Sequence, residues 1–323
     1  MAEHLHFNES SEEDFEMMGS MEEPPWVLAM GWLLSGLGIA GNCFIILLIA
    51  SKKQLHRTTN WFLVSLSFAD LGVSLSVFPG DFFCLPVEEC QFVVLASFQW
   101  AFLFASVLNL CALTMDRYIA IAKPFIYVLF MSTKRVLAFI CAAWILPFTF
   151  SFVPHAFIYN ERHVDTMRRY TYFMLIVFEF IPPVSLVLVT AHMLYIARKH
   201  ARETAAVVEQ LRYNQPAASS GNAPQARRPN RARTSVIFIT SIVLFFVLCY
   251  SVNIALSCCQ IFYICDYPFG LETAQRLLLI ANSAFNPFAY GFLKQDIKRE
   301  VKQLLRVGVT ETQRSSFQME QQR

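Results

Sequence analysis

The sequence predicts an all-α membrane protein, a seven-transmembrane helix bundle plus a short amphipathic cytoplasmic eighth helix. The first observation is composition: 55% of the residues are hydrophobic and only 15% are charged, which is too apolar for an ordinary soluble domain. The second is a set of continuous apolar runs of about 20 residues or more, the length that crosses a bilayer as a helix and exceeds a barrel strand. These runs lie near 27–50, 60–83, 91–119, 136–159, 170–196, 235–263 and 272–292.

The distribution of charge predicts how these spans are oriented. Residues 1–25 contain eight acidic residues and no Lys or Arg, which predicts an extracellular, acidic N-terminus. Because basic residues collect in cytoplasmic loops, we expect a multi-pass plasma-membrane protein with its C-terminus in the cytoplasm. The overall charge of +2 is then a topology pattern and does not indicate nucleic-acid binding. The basic residues that set this orientation include Lys52, Arg57, Lys123, Arg135, Arg198, Arg227 and Lys298.

The segments around the spans divide the chain further. The seven-transmembrane domain covers residues 26–293, and its intracellular segment at about 201–231 contains NQPAASSGNAPQARRPN, which is typical of a disordered loop. Residues 294–307 alternate apolar and basic residues at helical spacing, which predicts an amphipathic helix on the lipids of the inner leaflet. Residues 308–323 form a cytoplasmic tail, with candidate phosphorylation sites at Thr310, Thr312, Ser315 and Ser316.

Six landmarks follow one another along the seven spans, and together they are far more specific than any one of them. In chain order they are Gly41-Asn42, LSFAD ending at Asp70, the DRY triplet from Asp116 to Tyr118, Trp144, Pro182, and NPFAY from Asn286 to Tyr290. This set resembles that of the rhodopsin-like, class A G-protein-coupled receptors. The resemblance extends from about Trp26 to Leu305, which is most of the chain.

The resemblance implies a receptor that binds an extracellular ligand in the helix bundle and activates heterotrimeric G proteins by opening its cytoplasmic side. In the family the acid of the DRY triplet restrains the arginine until activation, and an apolar residue of the second intracellular loop packs into the G protein. Arrestin and receptor kinases are expected as further partners. Burial of Phe125 against span three or five is the alternative to such a role. The implied switch residues are Asp116, Arg117, Tyr118, Pro124, Phe125, Asn286, Pro287 and Tyr290.

A polar cluster in the middle of the spans matches the group that binds a sodium ion in the family's inactive state. Asp70 lies mid-span, where an unpaired carboxylate needs compensating polar groups. Carboxylate, hydroxyl and amide oxygens are suitable ligands for a hard cation. The alternative is a sodium-free hydrogen-bonded network of the same residues, which are Asp70, Ser106, Asn282, Ser283 and Asn286.

The sixth span departs from the family pattern Cys-Trp-x-Pro, because the chain reads Cys249-Tyr250-Ser251-Val252. A proline removes a backbone hydrogen bond and bends a helix, so its absence predicts a straighter sixth helix. The fifth-span tyrosine of the family is also replaced, by Thr190 if Pro182 is the matching proline.

Cysteine usage departs as well, because residues 153–172 lack the cysteine that relatives bridge to span three. Cys84 and Cys90 both face the oxidising side and are a candidate pair. Cys258 and Cys259, near Cys265, are either bridged or buried free thiols. Asn8 lies in an Asn-Glu-Ser sequence, which matches the acceptor pattern for N-glycosylation.

The ligand is not identified by these motifs, and both a small molecule and a peptide remain open. Gln99 occupies the third-span position where amine receptors have an aspartate, and Ile280 occupies that of the retinal lysine of opsins, so neither subclass is indicated and no retinal is expected. Arg276 is a candidate partner for a ligand carboxylate or phosphate, or for Glu272 or Glu179. The pocket residues expected by analogy are Gln99, Trp100, Leu103, Glu179, Tyr250, Asn253, Ser257 and Arg276.

Other classes of membrane protein fit the sequence less well. A transporter would be expected to have repeats, broken helices or a chain of ionisable groups at the midplane, yet only Asp70 and Glu179 lie deep in the spans. An intramembrane enzyme would need a metal or nucleophile constellation, and His192 and His200 have no such neighbours in the sequence. A receptor without enzymatic activity is therefore the prediction, with a seven-helix transporter or another non-receptor membrane protein as the alternative.

Overall fold

The structure, a computed structural model, describes residues 24–84, 87, 90–156, 164–213, 230–262 and 269–304. Every regular element within these ranges is helical. The helices are α1 (Pro25–Ser51), α2 (Thr58–Ser76), α3 (Phe78–Cys84), α4 (Phe92–Ala122), α5 (Pro124–Phe130), α6 (Thr133–Phe152), α7 (Val164–Met174), α8 (Ile181–Tyr213), α9 (Asn230–Phe262), α10 (Phe269–Leu293) and α11 (residues 295–304). A π-helical segment, Leu175–Phe180, joins α7 to α8.

Six stretches of helix in the described part of the chain are long and apolar enough to cross a membrane. They comprise α1, α2 with α3, α4, α6, α7 with α8, and α9. The 25-residue α10 is also long enough for a bilayer, but it carries Glu272, Arg276 and a polar run around Asn282 and Asn286, which lower its hydropathy. The chain is thus a multi-pass membrane protein whose regular elements, within the described ranges, are all helical.

The predicted disordered segment at about 201–231 is wrong over its first part, while its end agrees with the start of α9. Helix α8 continues to Tyr213 and α9 begins at Asn230, so residues 201–213 and 230–231 are helical. The run ARETAAVVEQLRY consists largely of good helix formers, Ala, Glu, Gln, Leu and Arg, which extend α8 beyond its apolar part. The predicted sites at Asn8, Cys265 and the residues from Thr310 onward lie outside the described residues.

The core lies between the facing sides of the helices, with α4 at the centre in contact with α2, α6, α8 and α9. Its fully buried side chains include Phe62, Leu63, Leu66, Leu113, Ile239, Phe246 and Tyr290. Large apolar side chains also cover the outside of the bundle, as expected where helices face lipid. Exposed examples are Leu47, Ile145, Leu188, Leu244 and Leu248.

The Gly41-Asn42 landmark holds α1 against α10. A Cβ atom on Gly41 would lie 2.9 Å from the Pro287 side chain, so glycine permits the close approach of the two helices. Next to it, the buried Asn42 donates its amide to the carbonyl oxygens of Gly38 at 2.9 Å and Ser283 at 3.3 Å. The landmark is therefore explained by packing and backbone hydrogen bonding.

The sixth-span helix, α9, runs without a break from Asn230 to Phe262 and includes Val252. Ser251 donates its hydroxyl to the carbonyl oxygen of Leu248 at 2.8 Å, a local hydrogen bond that competes weakly with the helix ladder. Asn253 instead directs its side chain across the bundle, as described below.

Three of the described cysteines are in disulfides, Cys84, Cys90 and Cys259. Cys84 at the end of α3 is bridged to Cys90, as the sequence predicts, and this bridge closes the turn before α4. Cys259 is also disulfide-bonded, whereas Cys258 is a free thiol. The alternative of a free thiol is thus correct for Cys258 and wrong for Cys259.

Candidate functional site

The C-terminal part of α4 carries a buried ion pair between neighbouring residues. Asp116 is fully buried, and its Oδ2 atom lies 2.8 Å from Nη2 of Arg117, whose side chain is 18% exposed. The hydroxyl group of Tyr127, on α5, donates a hydrogen bond to the other carboxylate oxygen of Asp116 at 3.0 Å. Asp116 is therefore hydrogen-bonded to Tyr127 of α5 and ion-paired with Arg117 of its own helix.

Helix α5 presents opposite sides to the bundle and to solvent. Burial raises the pKa of Tyr127 well above its usual value, and the adjacent negative charge of Asp116 raises it further. Phe125 on the same helix is 92% exposed, which excludes its burial against span three or five. Ile126 and Leu129 are exposed beside it. Helix α5 is thus bonded to Asp116 through Tyr127, and its apolar side chains Phe125, Ile126 and Leu129 remain exposed.

A buried lysine joins the beginning of α11 to this region. The Lys294 ammonium donates a hydrogen bond to the side-chain oxygen of Asn60 on α2, and it lies 3.7 Å from the Asp296 carboxylate. Burial lowers the pKa of Lys294 to about 7, with Asp296 acting in the opposite direction. Lys294 also interacts electrostatically with Arg117 and Asp116, so it belongs to the same charged cluster.

Two further predicted switch residues, Tyr118 of α4 and Tyr290 of α10, contact α8 and α9 respectively. Tyr118 contacts His192 of α8, with 3.2 Å between its hydroxyl oxygen and Nδ1. Tyr290 is fully buried, packs against Phe238 of α9 with ring centroids 5.8 Å apart, and its hydroxyl has no hydrogen-bond partner among the described residues. Pro287 lies inside α10, one residue after the buried Asn286.

The mid-span polar cluster is assembled around Asp70 of α2, which is fully buried. Its carboxylate accepts hydrogen bonds from the Ser106 hydroxyl and the Asn286 amide, each at 2.7 Å, and from the Ser283 side chain. The side-chain oxygen of Asn286 is buried without a hydrogen-bond partner in the described structure. Asp70, Ser106, Ser283 and Asn286 therefore meet as predicted. The fifth predicted member, Asn282, is half-buried and is not among the described hydrogen-bond partners of Asp70.

Near the N-terminal end of α4, Gln99 is hydrogen-bonded to a carboxylate that the sequence analysis does not include among the site residues. Its amide donates to Oδ1 of Asp81 on α3 at 2.6 Å and to the carbonyl oxygen of Ser76 at 2.9 Å. Arg276 of α10 lies 4.0 Å from Asp81 as well, so the expectation that it pairs with Glu272 or Glu179 overlooked this partner. The sequence signal for this site is Asp81 itself, an acidic residue within the otherwise apolar run VFPGDFF.

A second polar cluster crosses the bundle between the π-helical segment, α9 and α10. Glu179 accepts a hydrogen bond from the Asn253 amide at 3.1 Å and another from Ser257. The oxygen of Asn253 accepts a hydrogen bond from the Gln275 amide at 2.6 Å. The predicted pocket residues Glu179, Asn253 and Ser257 thus meet, with Gln275 as an additional member.

Aromatic rings connect α4 to the π-helical segment beside this second cluster. Trp100 stacks on Phe104 with ring centroids 5.5 Å apart, and Phe104 stacks on Phe178 at 4.8 Å. Tyr250 stacks on Phe246 at 4.9 Å and is buried. Leu103 is buried on the same helix as Trp100. The predicted polar pocket residues therefore lie in two clusters, one around Asp81 and one around Glu179, and the rings of Trp100, Phe104 and Phe178 pack beside the second.

A groove of about 530 Å³ lies elsewhere, between α2, α4 and α6. It is lined by apolar side chains such as Phe68, Phe102 and Ile140, together with Trp144, whose indole donates to Ser65 at 2.9 Å. The Trp144 landmark thus ties α6 to α2. This groove contains none of the predicted pocket residues.

The family model described as "7 transmembrane receptor (rhodopsin family)" matches residues 41–290. The chain belongs to this family. The matched range begins at Gly41 and ends at Tyr290, the first and last landmarks, and it encloses the ion pair, the Asp70 cluster and both extracellular-half clusters. The protein is therefore a G-protein-coupled receptor and not an enzyme.

Three curated relatives illustrate the similarity. The 5-hydroxytryptamine receptor 4 of Cavia porcellus is 28% identical over 91% of this chain and 82% of its own length. Trace amine-associated receptor 9 of Rattus norvegicus is 25% identical over 86% of this chain and 87% of its own length. The Octopamine receptor Oamb of Drosophila melanogaster is 34% identical, but the match covers 46% of this chain and only 24% of that receptor.

Proposed function

We propose that this receptor resides in the plasma membrane with its N-terminus outside, and that an extracellular ligand opens its cytoplasmic side to activate a heterotrimeric G protein. The buried pair of Asp116 and Arg117 is the observation that carries the proposal. An arginine paired with an adjacent carboxylate has its charge balanced, so its release would expose an unpaired cation at the cytoplasmic surface. In this scheme α10 is the seventh span.

The exposed side of α5 is the proposed contact for the G protein. Phe125, Ile126 and Leu129 are all exposed on a helix whose Tyr127 is bonded to Asp116. Aromatic and aliphatic side chains of this kind often anchor protein interfaces. Because the same helix touches the ion pair, docking of a partner here would act on Asp116 directly.

A sodium ion at Asp70 is a further part of the proposal. The residues present fit a hard cation: a carboxylate, the hydroxyls of Ser106 and Ser283, and the unpartnered side-chain oxygen of Asn286. The ion would supply the positive charge that the described neighbours of Asp70 lack. Loss of that ion would accompany rearrangement of α10 against α2.

The C-terminal part of the proposal concerns α11. Ile297 and Glu300 are buried and Leu304 is exposed on this helix, so one side packs against the bundle while the other is available to lipid. We expect α11 to lie on the inner leaflet as an eighth helix. Arrestin and receptor kinases would act on the basic segment between α8 and α9 and on the tail that follows α11.

Guanine-nucleotide exchange by added heterotrimeric G protein tests the proposed switch. Arg117→Ala removes the cation and is expected to lower exchange at least tenfold, at unchanged surface expression, because Arg117 is not part of the apolar core. Arg168→Ala is the matched control, since Arg168 is an exposed arginine on the opposite side of the bundle. Wild-type exchange in the Arg117→Ala variant would contradict the proposed role of the ion pair.

A further inference from the structure

Glu179 is a buried carboxylate whose recorded partners are all neutral. It is 8% exposed and lies in the π-helical segment that leads into α8. Asn253 and Ser257 donate hydrogen bonds to it, and Gln275 supports Asn253 from α10. Among the residues that the structure describes, no Lys, Arg or His forms an ion pair with Glu179.

The two other carboxylates near the ends of the bundle differ in this respect. Asp116 has Arg117 at 2.8 Å, and Asp81 has Arg276 at 4.0 Å. A charge inside a membrane span is costly unless an opposite charge or a water-filled cavity compensates it. Among the described residues Glu179 therefore has hydrogen-bond donors but no compensating charge, and a bound cation would supply that charge.

A second observation points to the same place. The hydroxyl group of Tyr250 is buried and has no hydrogen-bond partner in the described part of the chain. It lies close enough to Glu179 for the two groups to interact electrostatically. Buried hydroxyls are normally hydrogen-bonded, so an unpartnered one beside a carboxylate indicates a position for a missing polar group.

The chemistry of the surroundings favours an organic ammonium ion over a metal ion. Phe178 precedes Glu179 and is the end of the ring stack with Phe104 and Trp100, and aromatic faces attract ammonium groups. The described residues contain no group of three or more His, Cys, Asp or Glu suited to a metal. An ammonium group has N–H donors for both the carboxylate and the tyrosine oxygen.

We propose that Glu179 and Tyr250 bind the ammonium group of a small aromatic amine. This inference rests on the proposed receptor function and specifies the ligand of that site. It assigns the counter-ion to the fifth span, whereas the third-span residue Gln99 directs its amide to Asp81. The ligand's ring would lie against the stack of Trp100, Phe104 and Phe178, and its nitrogen would bridge the π-helical segment and α9.

Thermal unfolding of the purified full-length receptor tests the proposal without a G protein, because a ligand that binds the folded state raises Tm. The probes are tryptamine, 5-hydroxytryptamine and octopamine, with tryptophol as a neutral analogue in which a hydroxyl replaces the amine of tryptamine. We expect at least one amine to raise Tm and tryptophol to have no effect. Glu179→Gln should weaken that amine's apparent affinity at least tenfold, and Tyr250→Phe several-fold.

The control variant is Asp165→Asn, which removes an exposed extracellular carboxylate and should leave amine affinity unchanged. Equal stabilisation by tryptamine and tryptophol would overturn the proposal, as would no stabilisation by any amine or full affinity in Glu179→Gln. A loss in Asp81→Asn with none in Glu179→Gln would place the ammonium at Asp81 and also overturn it.

Two features keep this test separate from folding defects and from the switch. If Glu179→Gln does not fold, the wild-type comparison of amine with alcohol and the Tyr250→Phe variant still decide the outcome. Because unfolding is measured on the receptor alone, failure of Arg117→Ala to impair exchange would contradict the switch and leave amine binding intact.

Discussion

The two ends of the bundle each contain a buried carboxylate, and they differ in what balances its charge. At the cytoplasmic end Asp116 has the guanidinium of the next residue at 2.8 Å and the hydroxyl of Tyr127 at 3.0 Å. Toward the extracellular side Glu179 is held by amide and hydroxyl groups with no cation among the described neighbours. The first carboxylate has its cation within the chain and is the restraint in the proposed switch, whereas in our proposal the cation for the second comes from a ligand.

Asp70, between these ends, resembles Glu179 more than Asp116. Its hydrogen-bond donors are Ser106, Ser283 and Asn286, all of them neutral. We expect Asp70 and Glu179 to change state when a cation binds or leaves, and Asp116 to change state when α4 or α5 moves. Variants that remove each charge test this difference.

Removing the Asp116 charge should raise basal activity most strongly. Asp116→Asn loses the ion pair, and a change of about 1.4 kcal/mol in the balance between resting and active states corresponds to roughly tenfold in their population ratio. We expect basal nucleotide exchange to rise about tenfold at matched surface expression. Tyr127→Phe removes one hydrogen bond, worth about 0.5–1.5 kcal/mol, and should raise basal exchange less.

Basal exchange that stays constant or falls in both variants would show that the pair does not restrain the resting state. Tyr195→Phe is a suitable control, because Tyr195 is an exposed tyrosine on α8 and no hydrogen bond of its hydroxyl is recorded.

Removing the Asp70 charge should abolish a stabilising effect of sodium. If sodium is present at about ten times its dissociation constant, binding stabilises the folded state by about 1.4 kcal/mol, which raises Tm measurably. We expect sodium chloride to raise Tm relative to N-methylglucamine chloride at equal ionic strength in the wild type. The difference should disappear in Asp70→Asn and persist in Asp165→Asn; a wild type whose Tm ignores the choice of cation would contradict the sodium site.

Replacing Lys294 should change how stability depends on pH. The pKa of Lys294 in the folded protein, about 7, lies below the ordinary 10.5, so between these values the unfolded chain binds a proton that the folded chain does not. Stability should therefore rise with pH across this window and fall as the pH drops from 10.5 to 7. Lys294→Met should flatten the increase in Tm measured between about pH 7.5 and 9.5.

The control for this last effect is Lys302→Met, which replaces an exposed lysine on the same helix and should retain the wild-type slope. A Lys294→Met variant with an unchanged slope would mean that the buried ammonium is balanced by Asp296, Asp116 and Asn60 more fully than its surroundings indicate.

Much of the fold could be predicted because membrane helices leave a strong local pattern. The six apolar spans lie within a few residues of the predicted ones at most boundaries, and DRY and NPFAY lie at the positions expected on α4 and α10. The loop at 201–231 was misjudged because its first residues are polar and also good helix formers, so polarity was mistaken for loss of helix. Hydropathy reports contact with lipid, and it does not report helicity beyond the membrane.

The candidate site was predicted only in part, because the contacts that assemble it join residues far apart in the sequence. Asp81 meets Gln99 from 18 positions away, Glu179 meets Asn253 from 74, and Lys294 meets Asn60 from 234. Span order and motif spacing identified Asp116, Arg117 and Asp70 as important residues from the sequence alone. The tertiary structure decided which long-range partners each carboxylate meets. Those contacts depend on the rotation and relative height of the packed helices, and no local sequence pattern specifies either quantity.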